Sequence, residues 1–322
     1  MSELTRLYGL TIRTDVPLPH RAVPARTPVD LRIQLGAPVA ATQAMPRGRV
    51  LLDLRGSRHF YAAAVDHRGF RLRFFDTCDV DLDRDLTRAV VHPVPGADPD
   101  LVAVLVGGTV LAFVLTMRGE TVLHASAVQV GDAALAFVGA SGMGKSTMAT
   151  LLCAAGNGLV TDDVLRLDTT GPTPTCSLGA TELRLRKGAD HLTARFGSAP
   201  GVRATGDGRQ ALAAPASTVE GLPLAGLVVP LPDHSADRRA PELERLASCQ
   251  AMVLLAQFPR LLGWQDHAVR RAGFHQLAQV VDQVPVHVAR LPWGPPFPDD
   301  IATSVLRATG LASDTAEVGV GP

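Results

Sequence analysis

A glycine-rich segment that ends in lysine and serine carries the clearest chemistry in this sequence. Residues 139–146 are Gly-Ala-Ser-Gly-Met-Gly-Lys-Ser and satisfy the pattern G-x-x-x-x-G-K-[ST]. In such a loop the backbone N–H groups point toward phosphate oxygens, the lysine adds a mobile positive charge, and the serine hydroxyl is a ligand for Mg²⁺. The segment therefore predicts a P-loop that binds ATP and Mg²⁺. The predicted nucleotide-binding residues are Gly139, Ser141, Gly142, Met143, Gly144, Lys145, Ser146 and Thr147.

Lysine is scarce elsewhere in the chain. Of the 31 basic residues, only Lys145 and Lys187 are lysine. A compact ammonium suits this loop, whereas a planar guanidinium would fit badly. The choice of lysine at position 145 therefore supports a phosphate-binding role.

The elements on either side of the loop are those that would position it. An apolar run at 134–138 predicts a strand before it, and apolar residues at helical spacing over 148–155 predict a helix after it. A second apolar run, residues 159–161, leads directly into Asp162 and Asp163. Phosphotransferases hold their metal-binding and proton-accepting carboxylates at such a strand end. We predict Asp162 as the general base and Asp163, with Ser146, as the metal ligand; the sequence leaves open which aspartate has which role.

The spacing of these motifs separates the chain from several nucleotide-binding classes. Asp162 follows Lys145 by only 17 positions, an interval too short for RecA-like or ABC-type ATPases, and no L-S-G-G-Q is present. The guanine-reading N-K-x-D motif is impossible because Asn157 is the only asparagine.

Composition limits the other function classes. The chain has 322 residues, 46% of them hydrophobic, with zero net charge and a pI near 7.2, so it can build a sizeable core and shows no electrostatic footprint for nucleic acid or an anionic membrane. Four separated cysteines without a C-x-x-C pair or a secretory leader favour reduced thiols and a cytoplasmic location. Residues 101–117 lack charge, but their length and central glycines favour a buried core helix, capped by Asp98 or Asp100, over a membrane span.

The rest of the chain predicts a β-rich N-terminal part and a mixed C-terminal part. Before residue 90, apolar segments with a period of two predict an antiparallel sheet with one polar face. These segments are residues 8–12, 29–33, 50–54, 59–61 and 70–74. Later patterns predict strands at 121–130, 227–231 and 286–291, helices at 243–257, 266–283 and near 299–309, and a loop at 197–208.

Three motifs together resemble a known family. Leu-His-Ala-Ser-Ala at 123–127, the P-loop and the double aspartate are similar in order and spacing to those of the HPr serine kinase/phosphorylase family. The resemblance implies a P-loop core related to ATP-dependent phosphoenolpyruvate carboxykinases, with Lys145, Asp162 and His124 catalytic and His124 assisting charge neutralisation or orientation. Thr147 stands where the family usually has glutamate, which puts one metal contact in doubt. The family's glycine-rich substrate loop and arginine are not located by motif.

A softer resemblance concerns the acceptor. Residues 15–19, 258–264, 285–286 and 292–294 look more like the HPr-kinase-like proteins of bacterial peptide-modification clusters, including lasso-peptide kinases. That likeness implies phosphorylation of a precursor peptide, typically at a C-terminal serine.

These observations predict an α/β protein with a β-rich docking or oligomerisation domain at 1–95, an HPr-kinase-like catalytic domain at 96–312 and a disordered tail at 313–322. The predicted activity is ATP- and Mg²⁺-dependent phosphorylation of a serine in a peptide or protein, without nucleic-acid or membrane partners; homo-oligomer formation stays open. A small-molecule kinase or phosphorylase and a non-catalytic nucleotide-binding regulator are the alternatives. An exposed N-terminal sheet edge would pair with the peptide, and arginines would receive its carboxylate or phosphate. These arginines are Arg184, Arg186, Arg195, Arg203 and Arg209.

Overall fold

The computed structural model describes residues 2–19, 21–24, 26–57, 59–186, 190–198, 200–235 and 240–311. It shows a mixed α/β fold that is rich in sheet. The tail predicted at 313–322 lies outside the described residues.

The N-terminal part is one eight-stranded sheet. Its strands are β1 Glu3–Leu7, β2 Leu10–Thr14, β3 Leu31–Leu35, β4 Arg49–Arg55, β5 His59–Val65, β6 Gly69–Phe74, β7 Cys78–Asp83 and β8 Arg88–Pro93. They lie in the order β1-β2-β3-β8-β7-β6-β5-β4. The prediction of a purely antiparallel sheet is wrong at two places, because β3 pairs in parallel with both β2 and β8. The proline-rich connection between β2 and β3 is long enough to bring the chain back in the same direction.

The segment predicted as one strand at 8–12 contains a tight turn instead. Tyr8 and Gly9 both have positive φ values, 54° and 74°, and they join β1 to β2 as an antiparallel hairpin. Such a turn suits the twist of a hairpin, and only Gly9 marks it in the sequence.

A continuous helical segment covers this sheet. It comprises α1 Pro99–Leu105, a π-helical stretch Val106–Val110 and α2 Leu111–Met117. As predicted, Asp98 caps it, accepting a hydrogen bond from the Asp100 N–H at 2.9 Å. By length and composition alone this helix is apolar enough to cross a membrane. The second half of the helix is buried in the same core as the strands. A buried core helix of a globular domain can meet the same criteria of length and composition as a membrane-spanning helix.

The C-terminal part is built on a nine-stranded sheet. Its strands are β9 Thr121–Leu123, β10 Ala125–Val130, β11 Ala133–Val138, β12 Gly158–Thr161, β13 Leu165–Asp168, β14 Thr175–Cys176, β18 Leu222–Asp233, β19 Glu242–Arg245 and β20 Val286–Pro292. The main path is β12-β10-β11-β18-β14-β13-β9, and β20 lies between β18 and β19. The predicted strand at 121–130 is interrupted at His124, and a turn at Gly131, where φ is 60°, joins β10 to β11.

A small three-stranded sheet and five helices complete the described chain. The sheet consists of β15 Glu182–Leu185, β16 Val202–Ala204 and β17 Gln210–Ala213. The helices are α3 Lys145–Ala154, α4 Asp190–Thr193, α5 Ser248–Leu255, α6 His267–Gln283 and α7 Ile301–Ala308. The predicted loop at 197–208 therefore contains a strand, and the predicted helix at 243–257 begins only at Ser248. In both places pairing with a distant strand, β17 or β20, overrides the local pattern.

Candidate active site

The predicted P-loop connects the buried strand β11 to the N-terminus of α3. Gly142 and Gly144 have φ values of 94° and 90°, in the left-handed region that favours glycine. A side chain at position 144 would collide with the Trp293 ring, and one at position 142 would lie 2.9 Å from the Arg186 guanidinium. The loop therefore forms a close-walled cradle at a helix N-terminus, where backbone N–H groups favour anions.

Lys145 is buried at the centre of this cradle. Its side chain is 6% exposed, and its Nζ donates to the carbonyl oxygens of Gly139 at 2.8 Å and Ala140 at 3.0 Å. Burial lowers the pKa of Lys145 to about 8, although Asp162 and Asp163 act in the opposite direction. The two aspartates thus do not fully offset the cost of burying the ammonium charge, and an anionic ligand would offset the remainder.

Asp162 accepts three hydrogen bonds from its surroundings. The Ser126 hydroxyl donates to Oδ1 at 2.5 Å and the Ser146 hydroxyl to the same oxygen at 2.9 Å, while the Arg184 backbone N–H donates to Oδ2 at 2.8 Å. The carboxylate is 3% exposed. Asp162 is therefore held directly beside the first turn of α3.

Asp163 belongs to a different cluster, composed of two arginines and a histidine. Arg260 Nη2 lies 2.7 Å and Arg184 Nη2 3.3 Å from its Oδ2, and His124 Nε2 lies 3.3 Å from its Oδ1. Burial by itself would raise the pKa of this carboxyl, but the Arg260 charge and the His124 hydrogen bond outweigh burial and hold the pKa well below its usual range. Asp163 is thus an anion at neutral pH.

His124 is neutral in this setting. Burial lowers its pKa by more than its hydrogen bond to Asp163 raises it, and the nearby charge of Lys145 lowers it further. A neutral imidazole can donate one ring N–H to Asp163 but brings no positive charge to a phosphate. Of the two predicted roles for His124, the geometry favours orientation.

The five arginines predicted to receive an anion are divided by the structure. Arg184, Arg186 and Arg209 line the cavity above the P-loop. Arg203 instead pairs with Glu182 at 2.6 Å, and Arg195 binds the Phe297 carbonyl oxygen and lies 3.2 Å from Asp299. Three of the five predicted arginines therefore converge on the site.

These groups surround one cavity of about 190 Å³. Of the predicted site residues, Gly139 and Met143 are absent from its lining; the Gly139 carbonyl accepts from Lys145 Nζ, and the Met143 sulfur accepts from the Ala140 N–H at 3.0 Å. The predicted residues that line it are His124, Ser141, Gly142, Gly144, Lys145, Ser146, Thr147, Asp162 and Asp163. Trp293 and Phe297, in edge contact with ring centroids 5.1 Å apart, form an aromatic border.

Two residues at the site were not singled out as functional from the sequence. Ser126 appeared only as part of the histidine motif, and no local pattern links Arg260 to Asp163, which is 97 positions away. The alternation of β10 places Ser126 toward Asp162, whereas Arg260 is brought in only by tertiary folding.

The residues present fit a magnesium ion coordinated by few protein ligands. Within the described part of the chain, no group of three or more His, Cys, Asp or Glu side chains forms a ready metal cage. Ser146 and Asp162 do place two oxygen donors together, and Mg²⁺ is usually held by one or two carboxylates together with substrate phosphates and water.

No family model and no curated protein matches the sequence. Among solved structures, the HPr(Ser) kinase/phosphatase from Coxiella burnetii is similar with a TM-score of 0.31 and 15% sequence identity, covering 58% of this chain and 95% of that one. A likeness this distant carries no conclusion about function.

Proposed function

We propose that this protein is an ATP- and Mg²⁺-dependent kinase that transfers the γ-phosphoryl group to a serine hydroxyl of a peptide or protein. The supporting observation is the convergence of a lysine, a serine and two aspartates on one cavity at the N-terminus of α3. Phosphoryl transfer depends mainly on positioning and charge neutralisation, and this cavity supplies both.

The phosphate chain of ATP would lie in the P-loop cradle. The loop N–H groups, Lys145, Arg186 and Arg209 surround that position. On binding, the Lys145 ammonium would exchange its bonds to loop carbonyls for phosphate oxygens, which relieves the cost of its burial. The cavity is smaller than the roughly 300–1,000 Å³ of typical ligand sites, so it suits the phosphates, with the nucleoside near Trp293.

The geometry favours a division of roles between the aspartates that is the reverse of the one predicted first. Ser146 and Asp162, joined by a hydrogen bond of 2.9 Å, would hold Mg²⁺, which neutralises charge on the phosphates when bound. Asp163 would then accept the proton of the attacking hydroxyl, with Arg184, Arg260 and His124 fixing its orientation.

The proposal also covers the class of kinase and the kind of acceptor. The three sequence motifs support a kinase of the HPr-kinase-like class, and the softer motifs support a ribosomally made precursor peptide as the acceptor. The density of positioned acids and bases around the cavity favours a catalytic protein over a nucleotide sensor.

Replacement of Lys145 tests this function. We expect Lys145→Ala to reduce ATP turnover by about 10²-fold or more, because a preorganised charge at the phosphates is lost. Lys145→Arg should be almost as inactive, since a guanidinium does not fit the cradle. Turnover would be measured as ADP release, with circular dichroism as the folding control. Normal turnover by Lys145→Ala would exclude the proposed role of the loop.

A further inference from the structure

A second cavity shares the aspartate pair with the phosphate cavity. It has a volume of about 530 Å³, and Asp162, Asp163 and Arg184 line both cavities. A group in the second cavity would therefore approach the same carboxylates as the phosphates do. Phosphoryl transfer needs such a shared boundary, because the acceptor hydroxyl must reach both the terminal phosphate and a proton-accepting group.

The walls of the second cavity come from both parts of the molecule. Tyr8 and residues 17–19 from the N-terminal part line it, together with Ala103 and Val104 of α1. Residues 180–182 and Thr205 from the C-terminal part line it as well. Of residues 17–19, Pro17 and Pro19 have no N–H, and the Pro19 carbonyl accepts from the Thr5 hydroxyl at 2.9 Å. The lining therefore combines apolar side chains with few backbone donors.

The two cavities differ in charge. Basic groups predominate in the phosphate cavity, where Lys145, Arg184, Arg186 and Arg209 face Asp162 and Asp163. Acidic groups predominate in the second, where Asp100, Asp162, Asp163 and Glu182 face Arg184 and Arg203. The first therefore favours an anion, and the second a neutral or basic group.

From this juxtaposition we propose that the second cavity is the acceptor site, and that its substrate is a peptide segment whose serine is flanked by small apolar and neutral or basic residues. The inference rests on the proposed kinase function and assigns its acceptor class. In the reaction, a bond forms between the serine oxygen and the γ-phosphorus, and the bond from that phosphorus to the β,γ-bridging oxygen breaks. ADP leaves, and the serine proton passes to Asp163.

A cavity-filling variant tests the location. Val104→Trp places a large ring in the second cavity, outside the lining of the phosphate cavity. Val253→Trp is the matched control, because Val253 lies on α5, is 68% exposed and lines neither cavity. The probes are short peptides with one central serine, in basic-, apolar- and acidic-flanked sets. We expect Val104→Trp to raise the peptide KM roughly tenfold or more with ATP affinity retained, and Val253→Trp to match the wild type.

A charge reversal tests the substrate class. Asp100 lines the second cavity and not the phosphate cavity. Asp100→Lys should weaken phosphorylation of basic-flanked peptides and improve that of acidic-flanked ones, changing their kcat/KM ratio by roughly tenfold. Thermal unfolding controls for the fold of each variant.

The outcomes separate the two proposals. If Val104→Trp phosphorylates peptides as the wild type does, the second cavity is not the acceptor site, and the kinase function still stands. Preferential phosphorylation of acidic-flanked peptides, or of small alcohols alone, would overturn the substrate class. A wild-type protein that binds no ATP and transfers phosphate to no probe would overturn the kinase function itself.

Discussion

Neighbouring aspartates at the end of β12 face different partners because of one backbone angle. Asp163 has φ = 72°, a left-handed conformation that is uncommon for a residue other than glycine. Asp162 contacts Ser126 of β10 and Ser146 at the start of α3, whereas Asp163 contacts two arginines and a histidine. Such backbone outliers cluster at functional sites.

Separate replacement of the two aspartates tests their roles. We expect Asp162→Asn to weaken Mg²⁺-dependent ATP binding, because it removes a charged ligand beside Ser146. Asp163→Asn should retain ATP binding and lose roughly 10²–10⁴-fold in transfer, the usual contribution of a positioned base. Titration with ATP at several Mg²⁺ concentrations and single-turnover transfer would measure these effects. The opposite pattern would restore the assignment first predicted from the sequence.

Burial of Lys145 predicts a pH effect on the stability of the nucleotide-free protein. Its folded-state pKa of about 8 lies below the roughly 10.4 of an unfolded lysine, so between these values the unfolded chain binds more protons. The free energy of unfolding of the wild type should therefore rise, relative to Lys145→Met, by about 3 kcal/mol as pH increases through this window. Urea unfolding of both proteins from pH 7 to 10.5 provides the measurement. Parallel curves would show that the folded-state pKa is not depressed.

At the scale of elements, the π-helical stretch Val106–Val110 contacts the cluster around Asp163. π-bulges interrupt helices frequently at functional sites, and this one contains two glycines. A β-carbon at Gly108 would lie 2.9 Å from Arg260 Nη2 and 3.2 Å from Asp163 Oδ2. Glycine therefore lets this helix approach the Asp163–Arg260 pair.

Gly108→Ala should displace that pair. We expect transfer to fall by roughly tenfold or more, because small misplacements of catalytic groups are costly. Gly273→Ala is the matched control, since a β-carbon there meets nothing within 4 Å. The control should be about 1 kcal/mol more stable than the wild type, through helix propensity alone. Wild-type transfer by Gly108→Ala, measured beside thermal unfolding, would contradict the proposed contact.

At the scale of the whole molecule, the N-terminal sheet and the helix Pro99–Met117 share one core. That core includes Leu7, Ile12, Leu31, Ile33, Val80, Val106, Val110, Leu111, Phe113 and Leu115. The sheet edge at β4 is also occupied, because the Asp53 backbone N–H donates to the Gly263 carbonyl at 2.9 Å and the Gln265 backbone N–H to the Leu51 carbonyl at 2.8 Å. The β4 edge is therefore not free to pair with a peptide. The sequence predicts an exposed N-terminal sheet edge for that role, and β4 does not provide it. The boundary near residue 95 stays a prediction, but the hydrophobic core crosses it.

Removal of residues 1–95 should therefore unfold the protein instead of producing a docking-deficient kinase. The deletion would expose the buried face of a strongly apolar helix, at roughly 25 cal/mol per Å² of apolar surface. We expect aggregation on expression and no cooperative thermal transition by circular dichroism. A soluble truncated protein that binds ATP at wild-type affinity would show that the two parts fold independently.

Local chemistry determined much of the site from the sequence alone. The glycine, lysine and serine pattern, the strand before it and the helix after it all lie within 30 residues, and their conformations follow from nearby backbone and side-chain preferences. The double aspartate at the end of β12 and the Asp98 cap were predictable for the same reason.

Only the tertiary structure decided the remaining features. Arg260 reaches Asp163, residues 17–19 reach the second cavity, and 243–245 form a strand through pairing with β20. These contacts join segments far apart in the chain, and their free energy depends on burial and pairing that no local window contains. The sequence by itself therefore determined which groups we propose for phosphate binding, and the fold decided which groups hold the proposed base and where the proposed acceptor would enter.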